Sequence, residues 1–203
     1  MRPLIKWVIC LAVASGLGVG GYVLLQDDEP FTVYGYRAMC EKPRGFDQAA
    51  PHAASGPRPV VVSGFWNVRD ESPELFDPAA LDIWDPTDPA KVQLVACVEK
   101  VGRGEFVKSC DYEPDPFGVP GGADFRSFLY KATYRVTVYE ARTGKLLASP
   151  EFAGDRFRPE ATPQAEPCPR AALTRASGPR FEQREAEPYV QQIRDALQPH
   201  VTG

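Results

Sequence analysis

The segment LYKATYRVTVYEARTGKLLASPEF, residues 129–152, decides the fold of this 203-residue chain. Alternate positions along it carry apolar or aromatic side chains, beginning one residue upstream, at Phe128, Tyr130, Ala132, Tyr134, Val136 and Val138. A period of two predicts a strand with one buried face. Residues 141–144 then predict a tight turn with Gly144 in the left-handed region, and residues 145–152 return as the partner strand, with an edge or bulge at Pro150.

The preceding segment VQLVACVEKVGRGEFVKSCDY, residues 92–112, predicts a second hairpin that turns at residues 102–104. A register that places Val101 opposite Phe106 also places Cys97 opposite Cys110. Directly opposed residues have Cβ atoms about 4.5 to 5.5 Å apart, and a disulfide needs about 3.5 to 4.5 Å. The register therefore makes a cross-strand disulfide feasible.

Four cysteines lie outside the apolar amino-terminal segment, at Cys40, Cys97, Cys110 and Cys168. An even number in an exported domain predicts disulfides, with three connectivities. The hairpin register selects Cys97 with Cys110 and leaves Cys40 with Cys168. Zinc binding is the alternative, but the spacing lacks a C-x-x-C motif. We expect no metal and no cofactor.

Residues 7–25 carry no charge and follow Arg2 and Lys6. Nineteen residues at about 1.5 Å each approach the roughly 30 Å of a bilayer core. The preceding basic residues place the amino terminus in the cytoplasm. The Arg-rich, Asn-poor composition is typical of a GC-rich bacterial genome. We therefore predict a single-pass protein of the bacterial cytoplasmic membrane with its carboxy-terminal domain outside. A cleaved signal peptide is the alternative, although no A-x-A site ends the apolar run.

The sequence predicts three regions and an α+β, mainly β fold. Residues 1–26 form a cytoplasmic tip and transmembrane anchor. Residues 27–59 form an extracellular entry segment and loop, beginning with a short strand or extended linker over residues 31–37. Residues 60–203 form a disulfide-stapled antiparallel-sheet domain. A helix over residues 187–197 places Tyr189, Val190, Ile193 and Leu197 on one face and caps the sheet.

The runs LVACVEK (94–100), SCDY (109–112) and YRVTVYEARTGK (134–145), with Cys168 and Pro169, resemble a class of uncharacterised exported bacterial proteins. The resemblance covers roughly residues 92–169. The class has no established activity, so the resemblance supports the fold and the bridges and implies no site residues.

Catalytic chemistry has little support in the sequence. Nucleophilic catalysis needs a base, and the histidines are His52 in a loop and His200 in the tail. Acidic groups occur at residues 70 and 71, at 85 and 88, and at 111, 113 and 115. An envelope hydrolase acting on glycans through paired carboxylates is therefore the alternative function.

Composition and aromatic residues favour a binding protein. The net charge is −4, and no basic run is present, which argues against a nucleic-acid partner. Most aromatic residues are expected in the core, and the candidate ligand contacts are the loop residues Trp84 and Phe117. We predict a membrane-anchored binding or protein-interaction module of the cell envelope, without catalytic activity, whose partners are the bilayer at residues 7–25 and an envelope protein.

Overall fold

A computed structural model describes residues 30–66, 76–112, 125–157, 167–168 and 181–203. Thr32–Gly203 forms one compact unit. The described part is mainly β, with a mixed six-stranded sheet and a carboxy-terminal helix, which confirms the prediction of a mainly β fold with a helix at its carboxyl end. No helix within these residues is long and apolar enough to cross a bilayer. The predicted span, residues 7–25, lies outside them and stays a prediction.

Within the described residues the chain forms three α-helices, two short 3₁₀ helices and six strands. The α-helices are α1 (Ala38–Glu41), α2 (Pro78–Trp84) and α3 (Val190–Val201). Short 3₁₀ helices span Val33–Arg37 and Pro89–Lys91. The strands are β1 (Val60–Ser63), β2 (Leu94–Tyr112), β3 (Phe125–Glu140), β4 (Leu146–Ala148), β5 (Glu151–Gly154) and β6 (Phe181–Glu185).

Strands β2 and β3 form a long antiparallel ribbon that organises the sheet. Strand β1 pairs in parallel with the start of β2, from Val60 opposite Leu94 to Ser63 opposite Cys97. The other edge of β3 receives β4 and β5 antiparallel and β6 parallel. The sheet is therefore mixed, and the prediction of an antiparallel sheet is wrong for β1 and β6.

The hairpin predicted over residues 129–152 is confirmed. Strand β3 ends at Glu140, the turn places Gly144 at φ 72°, and β4 and β5 return along β3. The expected irregularity at Pro150 is the break between β4 and β5. There the Val136 N–H donates to the Pro150 carbonyl at 2.9 Å. The alternating pattern was sufficient because both partners are adjacent in sequence.

The second predicted hairpin is wrong. Strand β2 runs through residues 102–104 without turning, and its register against β3 shifts between Lys100 and Gly102, between Arg103 and Phe106, and between Phe106 and Lys108. Glycine suits β-bulges as well as turns, and here it accompanies bulges. Thirteen residues of strand at about 3.3 Å each separate Cys97 from Cys110 by on the order of 40 Å. These two cysteines therefore cannot bond.

Two disulfides are present, but both predicted pairings are wrong. Cys40 bonds to Cys97 with Cα atoms 5.5 Å apart, and Cys110 bonds to Cys168 with Cα atoms 5.7 Å apart. The first bridge joins α1 to β2. The second fastens the far end of β2. The bridges therefore hold opposite halves of the ribbon to separate parts of the chain.

The sheet is buried on both faces near β1. One face carries the larger core, which includes Val60, Leu94, Val136 and, from α3, Val190, Ile193, Leu197 and Val201. Helix α3 therefore covers the sheet as predicted, and it extends to Val201. The second core contains Tyr36, Met39, Phe46, Ala49, Val61, Val92, Val95 and Ala141. Residues 33–37 are helical, so the predicted strand or linker over residues 31–37 is wrong. Helical spacing brings Tyr36 and Met39 together onto the sheet.

Candidate functional site

Four aromatic side chains share one face of the sheet where β2, β3 and β6 run side by side. The register places Phe106 opposite Tyr130 and Tyr130 opposite Glu185, and it places Phe128 one row further, opposite Gln183. Directly opposed residues of neighbouring strands lie on the same face. We call Phe106, Phe128, Tyr130 and Phe181 the aromatic face.

The aromatic face contains two pairs of rings in contact. Phe106 meets Tyr130 edge to face with ring centroids 5.6 Å apart, and Phe128 meets Phe181 in the same way at 6.5 Å. Phe106 is 54% exposed and Phe181 is 56% exposed. Aromatic pairs that pack on each other and still face solvent are the composition found at the centre of protein interfaces.

A charged rim flanks the aromatic face. Glu185 accepts hydrogen bonds from Lys100 Nζ at 2.8 Å and from Arg103 Nε at 2.9 Å. These bonds hold the pKa of the Glu185 carboxyl below its usual value, and the bond from Lys100 has the largest effect. The Arg103 guanidinium also lies 4.7 Å from the centre of the Tyr130 ring. One arginine therefore links the rim to an aromatic ring by a cation–π contact.

The reverse side of this region is buried. Ser127 and Leu129, which alternate with Phe128 and Tyr130 along β3, are fully buried. Ser127 Oγ donates to Glu182 Oε1 at 3.1 Å. The buried Cys110 lies opposite Ser127 and carries the bridge to Cys168. Buried packing and a covalent bridge thus fix the strands on which the aromatic face is built.

The predicted ligand contact Trp84 does not join this face. Trp84 is 3% exposed, so its expected exposure is wrong. The Asp77 carboxylate caps α2 by accepting from the Ala80 N–H at 2.7 Å, and the helix carries Trp84 against Phe76 with ring centroids 5.6 Å apart. A tryptophan beside a turn-forming Asp-Pro pair predicts a loop, but here the helix extends to that tryptophan. Phe117 lies outside the described residues.

Sequence reasoning missed the aromatic face because the buried side of β3 changes along the strand. Ala132, Tyr134, Val136 and Val138 are buried at alternate positions, whereas the buried positions before them are Ser127 and Leu129. The change falls in the stretch where the β2 register shifts. The predicted period of two assigned Phe128 and Tyr130 to the buried face of the strand, and that assignment is wrong. Only the spacing of the glycines in β2 hints at the irregularity.

Two of the acidic residues that the sequence singled out, Asp88 and Asp111, serve local structure. Asp88 Oδ1 accepts from the Ala90 N–H at 2.9 Å, and Asp111 pairs with Arg126. Acidic residues 70, 71, 113 and 115 lie outside the described part of the chain. Within that part, no group of three or more His, Cys, Asp or Glu side chains is placed to hold a metal ion.

Comparison of the chain with protein-family models, curated proteins and solved structures gives no match. The resemblance to uncharacterised exported bacterial proteins stays a prediction.

Proposed function

We propose that this protein is a binding module of the bacterial cell envelope that recognises a partner protein through the aromatic face. The chain is anchored in the cytoplasmic membrane by residues 7–25 and carries its sheet domain outside. Two disulfides support an oxidising location, since such bonds persist outside the cytoplasm.

The observation that carries the proposal is the combination of exposed ring pairs with an ion-paired rim. Interfaces place aromatic residues and arginine at their centre and polar groups around them. Phe106 and Phe181 provide the exposed rings, and Lys100, Arg103 and Glu185 provide the rim. Because packing already orders these side chains, little rotamer entropy is lost when a partner binds.

The experiment is in-cell crosslinking followed by purification of the full-length protein. Three proteins are compared: the wild type, a double variant with Phe106→Ser and Phe181→Ser, and a control variant with Leu146→Ser. Leu146 is 54% exposed, as Phe106 is, and lies on β4, so it is a matched control. We expect the wild type and the control to recover one envelope protein. The double variant should recover at least about tenfold less of that protein. Equal recovery from all three would contradict the proposal.

The anchor is tested separately. The full-length protein is expected to remain in the membrane fraction after washing with carbonate and high salt, because a spanning helix is held by its apolar surface. Protease added outside spheroplasts should remove the domain and leave an amino-terminal membrane fragment. Release of an intact protein that begins after residue 26 would favour the secreted alternative.

A further inference from the structure

Six exposed basic side chains gather at the end of the sheet away from β6. They are Arg37, Lys42, Arg44, Lys91, Arg142 and Lys145, and we call them the basic end. No short basic run contains them, but backbone contacts bring their loops together. Phe46 N–H donates to the Ala141 carbonyl at 3.0 Å, and Ala141 N–H donates to the Gln93 carbonyl at 2.8 Å. The sequence contains no basic run, but the folded surface therefore carries a cluster of basic residues.

These loops are in close contact. A Cβ built on Gly144 would lie 2.7 Å from the Arg44 carbonyl carbon, so the turn after β3 rests directly on the loop after α1. The Tyr36 hydroxyl donates to the Pro89 carbonyl at 2.7 Å, which brings in the 3₁₀ helix that ends at Lys91. The basic end is therefore assembled from three separate segments by the fold.

The pairing of the charges distinguishes the basic end from the rest of the described surface. Elsewhere, seven basic side chains form ion pairs with carboxylates: Lys100, Arg103, Arg126, Lys131, Arg135, Arg156 and Arg184. Arg58 donates to backbone carbonyls, and Lys108 and Arg194 have other partners. Within the described residues, none of the six cations of the basic end has a carboxylate within 4.0 Å.

Acidic residues adjoin the basic end without neutralising it. Glu41, Asp47, Asp88 and Glu140 belong to the same segments. Asp88 accepts from the Ala90 N–H, and Glu140 Oε2 accepts from Thr143 Oγ1 at 2.9 Å. Among the described residues, the six cations outnumber these four carboxylates, and Asp27, Asp28 and Glu29 lie outside the described part of the chain.

An exposed aromatic side chain stands beside these cations. Tyr34 is 67% exposed, and the Arg37 guanidinium lies 4.9 Å from the centre of its ring. Basic residues beside tyrosine are typical of surfaces that rest at the headgroup level of a bilayer. A soluble anion would need cations but no exposed ring. This pairing favours a lipid surface over a free polyanion.

We infer that the basic end rests on the anionic lipid headgroups of the membrane in which the chain is anchored. The inference rests on the proposed function for the anchor over residues 7–25. In the sequence, 11 residues separate that segment from Arg37, which is a short tether. Tethering raises the effective concentration of headgroups at the patch, so weak contacts suffice. The aromatic face, at the β6 end of the ribbon, then remains available to a partner.

The test is hydrogen exchange on the full-length chain in lipid nanodiscs. One set contains phosphatidylcholine alone. The other contains phosphatidylcholine and phosphatidylglycerol in a ratio of about 3:1. We expect amides of residues 42–46 and 141–146 to exchange at least about threefold more slowly with the anionic lipid. The difference should vanish near 0.5 M NaCl, where the Debye length falls to about 4 Å.

A pair of charge-matched variants makes the test specific. Lys42→Gln, Arg44→Gln and Arg142→Gln together should abolish the protection. The control variant removes the same charge from ion-paired sites, by Lys131→Gln, Arg135→Gln and Arg184→Gln. This variant should retain the protection from exchange. Equal exchange in both lipids, or equal loss in both variants, would overturn the inference. Equal protection by soluble polyphosphate in phosphatidylcholine nanodiscs would overturn the choice of a lipid surface.

Failure of the anchor gives a different result. A chain without a spanning segment would not incorporate into phosphatidylcholine nanodiscs, and its sedimentation with vesicles is then measured. Salt-sensitive binding to phosphatidylglycerol vesicles, without binding to phosphatidylcholine vesicles, would support lipid binding by the basic end. It would contradict the membrane anchor. Binding to neither vesicle would overturn both.

Discussion

Cys97 is bonded to Cys40, across 57 residues of sequence, and not to Cys110, which shares strand β2 with it. Cys110 in turn reaches Cys168, 58 residues further along. The two bridges thus connect different parts of the chain to one continuous strand. Peptide mapping under non-reducing conditions should return peptides joined as Cys40–Cys97 and Cys110–Cys168. A peptide joining Cys97 to Cys110 would contradict the continuous strand.

Removing the first bridge should be costly. By the chain-entropy relation, a loop of this length is worth about 4 kcal/mol, so Cys40→Ala with Cys97→Ala should lower the free energy of unfolding by about that amount. Urea unfolding of the variant against the wild type measures it. The second bridge closes a loop of nearly equal length, so Cys110→Ala with Cys168→Ala is the natural comparison. A loss below about 1 kcal/mol for the first pair would show that packing alone holds α1 on the sheet.

Gly144→Ala should destabilise the domain. Gly144 has φ 72°, and a Cβ there would lie 2.7 Å from the Arg44 carbonyl carbon. Both the left-handed backbone and the close backbone contact oppose a side chain, so we expect a loss of about 2 kcal/mol. Gly102→Ala is the matched control, because a Cβ on Gly102 has no atom within 4 Å. We expect its unfolding free energy to stay within about 0.5 kcal/mol of the wild type. Equal losses would contradict the turn geometry.

Arg58 should stabilise the domain through its hydrogen bonds to backbone carbonyls. Its buried guanidinium donates to the carbonyls of Ala53 at 2.8 Å, Ala54 at 3.2 Å and His200 at 2.8 Å. The last bond places a cation at the carboxyl end of α3, where the helix dipole favours positive charge. Arg58→Met leaves these carbonyls without their donor, and we expect a loss of about 3 kcal/mol in urea unfolding.

The control for Arg58 is Arg184→Met. Arg184 pairs with Glu182 on the surface, so its loss should cost no more than about 0.5 kcal/mol. If Arg58→Met were equally mild, the bonds to the loop and to α3 would contribute little. Arg58→Lys should recover part of the loss, since an ammonium donates but cannot reproduce the planar fork.

Tyr134 should make the fold sensitive to alkali. Burial, with a smaller contribution from Glu187, raises the pKa of the Tyr134 hydroxyl to about 12, and the hydroxyl donates to the Ala186 carbonyl at 3.1 Å. The pKa in the unfolded chain is about 10. The stabilisation is therefore complete below pH 10, because the group is neutral in both states there. Between about pH 10 and 12 the unfolded chain loses the proton first, and stability falls.

Tyr134→Phe isolates this effect. At pH 8 the variant should be less stable by about 1 kcal/mol, because the hydrogen bond is lost. Its stability should fall less than that of the wild type between pH 10 and 12, as measured by urea unfolding at each pH. Parallel curves for the two proteins would contradict the assignment. Tyr36, whose pKa burial also raises to about 12, should contribute in the same way.

Local pattern predicted the parts of this fold in which partners are near in sequence. The alternation in β3, the turn at Gly144 and the carboxy-terminal helix could be read because each depends on side chains a few residues apart. The course of β2 could not, since glycine is common to turns and bulges and only the distant pairing with β3 distinguishes them. The wrong prediction of a turn in β2 also led to the wrong predicted pairing of all four cysteines.

The candidate surfaces were hidden for a related reason. Phe106 and Phe181 reach one face only through the pairing of β6 with β3, which joins segments more than 50 residues apart. The basic end likewise draws on three separate segments. Neither surface leaves a compact signal in the sequence. Trp84 was misplaced because its burial depends on Trp66 and Phe76, which lie outside the local Asp-Pro pattern from which a loop was predicted.

The most direct test of the account is site-specific photo-crosslinking in living cells. A benzoylphenylalanine replaces Phe106 or Phe181 in the full-length protein, and the same residue at Leu146 is the control. The account predicts one discrete crosslinked species in the membrane fraction from both face positions and its absence from position 146. Crosslinks of equal pattern from all three positions, or none from the face, would contradict the claim that the aromatic face binds a partner.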